Sequence, residues 1–298
     1  MERRKFLQHA GLSLGMIALA QNKSLADILI QAKYQFKLLR NDVGIFTEQG
    51  GTIAWLSNSG GMAVIDSQFQ NPAMNLIAEL KKASEKPLQY LINTHHHGDH
   101  TGGNIAFKGF AEKVVGHVNC LANHKKTAAA QKTEDKQLFA DTVFQDKWQA
   151  KVGSEKIQAT YLGAAHTNGD IIVHFDNANI AHMGDLMFNR RYPFIDKSAG
   201  ANIQSWTEVL EKAIAKYDND TLFIFGHSLD PEKVTGTKAD LRAMQNYLEK
   251  LLTFVKAELK AGKSKEEIMK ADRIPGAEEY QGQGIERSLT AALQELSS

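Results

Sequence analysis

The sequence predicts an α/β protein, and three observations carry that prediction. Short apolar and β-branched runs alternate with stretches of helical spacing along the chain. Several of the apolar runs end abruptly in a single histidine or aspartate, the way a buried strand delivers a functional side chain to a loop. The chain of 298 residues with 43% hydrophobic content can bury a sizeable core in one large domain. No internal repeat, low-complexity segment or long linker divides it.

Four β-type runs come first, Tyr34 to Leu39, Gly44 to Thr47, Thr52 to Ser57 and Gly61 to Asp66, separated by the turn pairs Asn41-Asp42, Gly50-Gly51 and Ser59-Gly60. Asn71-Pro72 predicts a helix to about Ala83, with Asn71 as cap, Pro72 at the first helical position and Leu76, Ile77 and Leu80 on one face. Leu88 to Asn93 reads as a buried strand running into Thr94-His95, then Val114 to Gly116 as a strand before a helix near Asn119. Strand-like runs follow at Thr142 to Phe144, Ile157 to Leu162, Ile171 to Phe175 and Ile180 to Met183. Trp206 to Tyr217 is an amphipathic helix, Thr221 to Phe225 a short buried strand, and Lys238 to Ala261 a long helix stopped by Gly262. Lys265 to Ala271 and Ile285 to Leu296 add two short helices. The expected organisation is a catalytic domain over 27–235 with a helical extension over 236–298 packed on it.

Residues 1–20 stand apart. Arg3-Arg4-Lys5 precedes an apolar stretch from Ala10 to Ala20 that ends in small residues, the pattern of a cleaved twin-arginine export signal. The stretch is shorter than the roughly 20 residues of a membrane span, so no stable membrane anchor is expected. The expected partner is the twin-arginine export machinery, and the expected location periplasmic or secreted. With 35 basic and 34 acidic residues there is no charge excess to draw the chain to nucleic acid, and a small-molecule substrate fits better. A lone cysteine, Cys120, excludes an intrachain disulfide and reads as a small buried apolar residue.

The chemistry concentrates in His95-His96-His97-Gly98-Asp99-His100. Imidazole nitrogens and carboxylate oxygens are ligands for a borderline metal such as zinc. Side chains so close in sequence cannot all reach one ion at about 2.0–2.1 Å without strain, so two metals are expected. Further ligands should come from the other strand ends: His166, Asp185 and His227.

Four motifs in order resemble those of the metallo-β-lactamase-fold hydrolases: Thr94 to Asn104, Ala165-His166-Thr167-Asn168-Gly169-Asp170, His182-Met183-Gly184-Asp185 and Phe225-Gly226-His227-Ser228, covering roughly 35–230. The resemblance implies a four-layer αββα sandwich with the metals at one edge of the two sheets. It implies two zinc ions, one on His95, His97 and His166, the other on Asp99, His100 and His227, with Asp185 bridging both. Asp99 and Asp185 would then serve catalysis by holding an attacking hydroxide and the second metal. Aspartate at Asp185, where zinc β-lactamases usually carry cysteine or serine, resembles the general hydrolases: thioesterases, lactonases, sulfatases and phosphodiesterases. The expected function is a dinuclear zinc hydrolase cleaving an ester, lactone, thioester or amide bond by a metal-bridging hydroxide. A β-lactam-hydrolysing enzyme is one alternative. An iron-dependent persulfide dioxygenase using two histidines and Asp185 is another, opposed by the complete second ligand set.

By themselves His166 and His227 also fit capping or core roles, and Asp185 a turn former. His96 should point away from the ligands if the segment is extended, and His182 likewise. His117, His124 and His174 have no motif around them and read as structural or exposed. Asn104 and Ser228 read either as partners of substrate or as turn residues. Phe188 to Phe194 either flanks the substrate, with Arg190 or Arg191 meeting a carboxylate, or is a packed connection.

Overall fold

The computed structural model describes residues 34–297, so the expected signal segment lies outside the described residues. Met1–Gln35 and Phe36–Ser298 are separate units, and the functional site belongs to the second. In chain order the first half holds β1 (Gln35–Arg40), β2 (Val43–Thr47), β3 (Ile53–Asn58), β4 (Gly61–Ile65), α1 (Gln70–Ala83), β5 (Leu88–Ile92), α2 (Gly98–Thr101), β6 (Ala111–His117), α3 (Val118–Gln131) and β7 (Thr142–Phe144). The second half holds β8 (Lys147–Val152), β9 (Glu155–Tyr161), β10 (Ile171–Phe175), β11 (Ile180–His182), β12 (Phe188–Asn189), α4 (Ile203–Lys216), β13 (Leu222–Ile224), β14 (His227–Ser228) and β15 (Thr235–Gly236). Three helices close the chain: α5 (Lys238–Lys260), α6 (Lys265–Ile268) and α7 (Ile285–Leu296).

Strands β1 to β7 form one sheet in sequence order, and β15-β13-β11-β10-β9-β8 a second; β12 and β14 pair separately. Alternation along the strands decides which layer each side chain enters. Ile45, Leu56, Ile65 and Ile92 of the first sheet meet Ile157, Ile171, Val173 and Phe175 of the second in one dry cluster between the sheets. Ile172, Ala181 and Phe223 point to the opposite face of the second sheet, where they meet Trp206 and Leu210 of α4, Leu248 and Leu251 of α5, and Leu289 and Leu293 of α7. Helix α1 buries Ala73, Leu76 and Leu80. The expected αββα sandwich with C-terminal helices is the fold observed.

Three sequence expectations need correction. Helix α1 starts at Gln70, before Asn71, and its N-cap Phe69 makes no side-chain cap bond. Helix α4 starts at Ile203, earlier than Trp206, because the Asn202 carboxamide oxygen accepts from the Ser205 amide at 2.7 Å. Strand β8 was not expected at all: it pairs antiparallel with β9 through Trp148, Ala150 and Val152, alternating with Lys147, Gln149 and Lys151.

Candidate metal centre

The site is assembled where parallel strands end side by side. In the first sheet β4 and β5 finish together, Ile65 opposite Ile92. The residue after β4 is Asp66 and the chain after β5 is Asn93-Thr94-His95. Asp66 Oδ1 accepts from the Thr94 amide at 2.7 Å, which locks the two ends to each other. A one-turn helix, α2, then begins after His97 and turns Asp99 and His100 into the same space. In the second sheet β11 and β13 also end together, His182 opposite Ile224. Past them lie Asp185, on a 3₁₀ turn over Gly184–Leu186, and His227, whose strand β14 pairs with β12 through Phe188. His166 comes from the loop between β9 and β10.

All seven candidate ligands meet there. His95, His97, His166 and Asp185 form one group and Asp99, His100 and His227 another, the ligand atoms within each lying within 4.8 Å of one another. His97 Nδ1 is 3.1 Å from His95 Nε2 and 2.9 Å from His166 Nε2. Asp185 Oδ2 lies 3.9 Å from His95 Nε2, 3.5 Å from His166 Nε2 and 3.4 Å from His227 Nε2, while its Oδ1 is 3.0 Å from His100 Nε2. His227 Nε2 is 3.1 Å from Asp99 Oδ2. Four ligand atoms placed tetrahedrally about a metal at about 2.0–2.1 Å stand about 3.3 Å apart, so these spacings suit one ion in each group with Asp185 common to both.

The hydrogen bonds behind the ligands strengthen that reading. His100 Nδ1 donates to Asp66 Oδ2 at 2.7 Å, His97 Nε2 to Asp196 Oδ2 at 2.9 Å and His166 Nδ1 to the Phe194 carbonyl at 2.6 Å. Thr94 gives its hydroxyl proton to Asp66, leaving its oxygen to accept from His95 Nδ1 at 3.1 Å. The outward nitrogens of His95, His97, His100 and His166 therefore carry ring protons, and the inward nitrogens of His95, His97 and His166 face one another. His97 Nδ1 faces two such nitrogens, at 3.1 and 2.9 Å, a crowding of inward donors that a cation among them relieves. His100 Nε2 and Asp185 Oδ1 are buried without a hydrogen bond. The donor set fits a metal.

The two groups differ in charge. Burial, reinforced by His100, holds His95 well below the usual histidine range, and burial takes His166 down to about 3. Burial acts the same way on His100 and His227, but carboxylates beside them win: Asp185 and Asp99 raise His100, and Asp185 above all lifts His227 to about 9. Burial pushes Asp185 and Asp99 up, but His227 and His100 hold Asp185 well below the carboxylate range, and His100 with His227 bring Asp99 to about 2. His95 and His166 are thus neutral imidazoles, whereas His100 and His227 form an ionic cluster with Asp99 and Asp185.

Close packing leaves no room for side chains at two points. A Cβ on Gly226 would stand 2.1 Å from Asp185 Oδ1, and one on Gly51 would stand 2.1 Å from His100 Cε1. These glycines let backbone press against ligands.

The remaining sequence candidates are placed as follows. His96 is buried with its Nε2 3.9 Å from Asp196 Oδ2, beside the ligands. His182 donates from Nε2 to the Thr52 carbonyl and accepts at Nδ1 from the Gly184 amide, so it supports the turn that carries Asp185. His117 stacks on Tyr161 and His174 bonds Asp176; both are structural. Buried His124 bonds Gln137. Asn104 is a buried hub bonding Ser67, Asn93 and the Leu138 carbonyl, with no face left for substrate. Ser228 bonds Asn189. Cys120 is buried, and burial pushes its thiol up. In the Phe188 to Phe194 segment the two phenylalanines reach the site, whereas Tyr192 packs against Tyr247 of α5. Phe188 stacks on His227 at 5.2 Å, and Phe194, 42% exposed, has its ring 5.5 Å from that of His97. Arg190 pairs with Asp240 of α5. Asp66 and Asp196 were missed by sequence reading. For Asp66 the signal existed: a strand running into an aspartate, as for Asp185.

Residues 47–227 match the sequence model of the metallo-beta-lactamase superfamily. The chain belongs to that superfamily. Among its relatives, a metallo-beta-lactamase type 2 from Bacillus sp. (strain 170) is 27% identical over 58% of this chain and 64% of its own length. Metallo-beta-lactamase IND-1 from Chryseobacterium indologenes is 24% identical over 62% of this chain and 75% of its own. A probable hydroxyacylglutathione hydrolase from Schizosaccharomyces pombe is 25% identical over 68% and 75%. The match thus spans less than two thirds of the Bacillus relative. The solved metallo-beta-lactamase from Pontibacter korlensis superposes with a TM-score of 0.62 at 18% identity, covering 72% of this chain and 99% of that one. These superfamily relatives are metal-dependent hydrolases.

Proposed function

We propose that the chain is a dinuclear zinc hydrolase that cleaves an ester, lactone, thioester or amide bond of a small molecule. The observation that carries this is the pair of ligand groups joined through Asp185, with His100 Nε2 and Asp185 Oδ1 buried between them without a hydrogen bond. His95, His97 and His166 would hold one ion, Asp99, His100 and His227 the other, and Asp185 both. When bound, zinc supplies a water acidic enough to ionise near neutrality and a Lewis acid for the carbonyl oxygen. Asp99 and Asp185 are deprotonated across the neutral range, so each accepts a hydrogen bond from a water at the centre and orients it. Asp99 has 29% of its side chain exposed, and Phe194, exposed next to His97, offers an apolar surface for the non-reacting part of the substrate.

Hydrolysis of β-lactams is the second reading, supported by similarity to the Bacillus and Chryseobacterium enzymes. The residue pattern over 1–20 supports a periplasmic or secreted site of action. The test is metal analysis of the purified protein with a panel of nitrocefin, homoserine lactones, thioesters and phosphodiesters, each with and without chelator. Two zinc ions and chelator-sensitive turnover of a carbonyl substrate are expected. One iron with oxygen uptake, or two zinc ions with no hydrolysis of any class, would overturn the proposal.

A further inference from the structure

Of the groups that stand behind the ligands, Asp66 serves both halves of the centre. It binds His100 directly and reaches His95 through the Thr94 hydroxyl. His166 leans on a backbone carbonyl, which no substitution removes. Asp196 differs from both. Its Oδ2 takes the proton of His97 Nε2 at 2.9 Å, and its Oδ1 is anchored by the Ser198 amide at 3.0 Å, the Ser198 hydroxyl at 2.6 Å and the Ala199 amide at 3.1 Å. Its own amide donates to the His166 carbonyl at 3.1 Å, so its backbone is tied to a second ligand residue of the same group.

We infer that Asp196 is a positioning residue for the three-histidine half of the centre alone, setting the tautomer and orientation of His97 and with them the metal affinity of that half. This rests on the reading that His95, His97 and His166 bind a metal. The carboxylate is required as such. Donors approach both of its oxygens, so an asparagine would turn its NH₂ either onto His97 Nε2–H or onto the Ser198 and Ala199 amides. Either way one face loses its acceptor, and His97 is free to rotate or to move its proton to Nδ1, the nitrogen needed inward. Outer partners of this kind are worth 10–100-fold in metal affinity. His96, His97 and Asp196 also come within metal-binding reach of one another. Asp196 Oδ2 is already committed to the His97 proton, however, and His96 Nε2 stands off at 3.9 Å. The trio is read as ligand support, not as a third ion site.

The experiment is competition of the full-length protein against a chromophoric zinc chelator, fitted to two sites, for wild type, Asp196→Asn and Ser198→Ala. Nitrogen NMR of labelled histidine reports the His97 tautomer. Asp196→Asn is expected to weaken one of the two zinc equivalents 10–100-fold and leave the other unchanged, with the His97 Nε2–H signal lost. Ser198→Ala, which loosens only the Oδ1 anchor, should shift the same equivalent by a smaller factor, and it stands as the test if the asparagine variant does not fold. Equal affinities in wild type and variants, equal loss at both equivalents, or loss of a third equivalent with the first two intact would each overturn the inference. A wild type that takes up no zinc would instead overturn the reading on which it rests.

Discussion

The raised histidines of the centre make metal uptake at the Asp99, His100 and His227 group depend steeply on pH. A metal ligand must shed its proton before it binds, so each displaced proton costs a factor of ten in affinity per pH unit below that ligand's pKa. In the metal-free protein His227 holds its proton up to about pH 9, and His100 is raised as well. Between pH 6 and pH 8, His227 alone therefore makes binding at the Asp99, His100 and His227 group about a hundredfold stronger, and His100 steepens this. At the other group His166, at about 3, and His95, also lowered, are already neutral over this interval and add no slope. Asp99, at about 2, and Asp185 are ionised throughout. Zinc competition titrations at pH 6, 7 and 8 should show one equivalent whose affinity climbs at least tenfold per unit and another that rises less steeply. Two equivalents with the same pH slope would refute the argument. The same shifts bear on stability: a raised histidine stabilises the metal-free fold fully below its unfolded value near 6.5, and that contribution fades as pH rises through the folded value of about 9.

Asp185→Asn should lower zinc content and turnover together, since either Oδ1 beside His100 or Oδ2 beside His95, His166 and His227 becomes an amide nitrogen with no lone pair to offer; full activity with two zinc ions bound would contradict the bridging role. Gly226→Ala places a methyl 2.1 Å from Asp185 Oδ1 and should cut metal content by at least tenfold with little change in far-UV circular dichroism, whereas Gly98→Ala, which meets nothing within 4 Å, should retain its zinc. Leu248→Ala removes a fully buried side chain between α5 and α4 and should cost about 2–5 kcal/mol in urea denaturation of the metal-free protein.

The ligands were legible in the sequence because each follows a short apolar strand and then breaks the pattern with a metal-binding side chain. Asp66 obeys the same rule at the end of β4, but as an aspartate before Ser67 it also looks like an ordinary turn former. Asp196 was not legible: it stands in Phe194-Ile195-Asp196-Lys197-Ser198, which has no helical or strand period, and its partner His97 is distant in sequence. The period-2 pattern of β8 was hidden by its lysines and glutamine, which face outward on an edge strand. Arg190 and Arg191 drew attention by charge and aromatic company, yet burial of Tyr192 and the pull of Asp240 direct that segment toward the C-terminal helices.

Each half of the centre draws its ligands from both sheets. His95, His97, Asp99 and His100 follow β5 in the first, while His166, Asp185 and His227 follow strands of the second. A chain synthesised as far as β7 carries four of the ligand residues but can complete neither group, and the ionic half stays open until His227 and the strand before it are in place. A chain that stops short of His227 leaves Asp99 and His100 without the donor the second sheet brings to them.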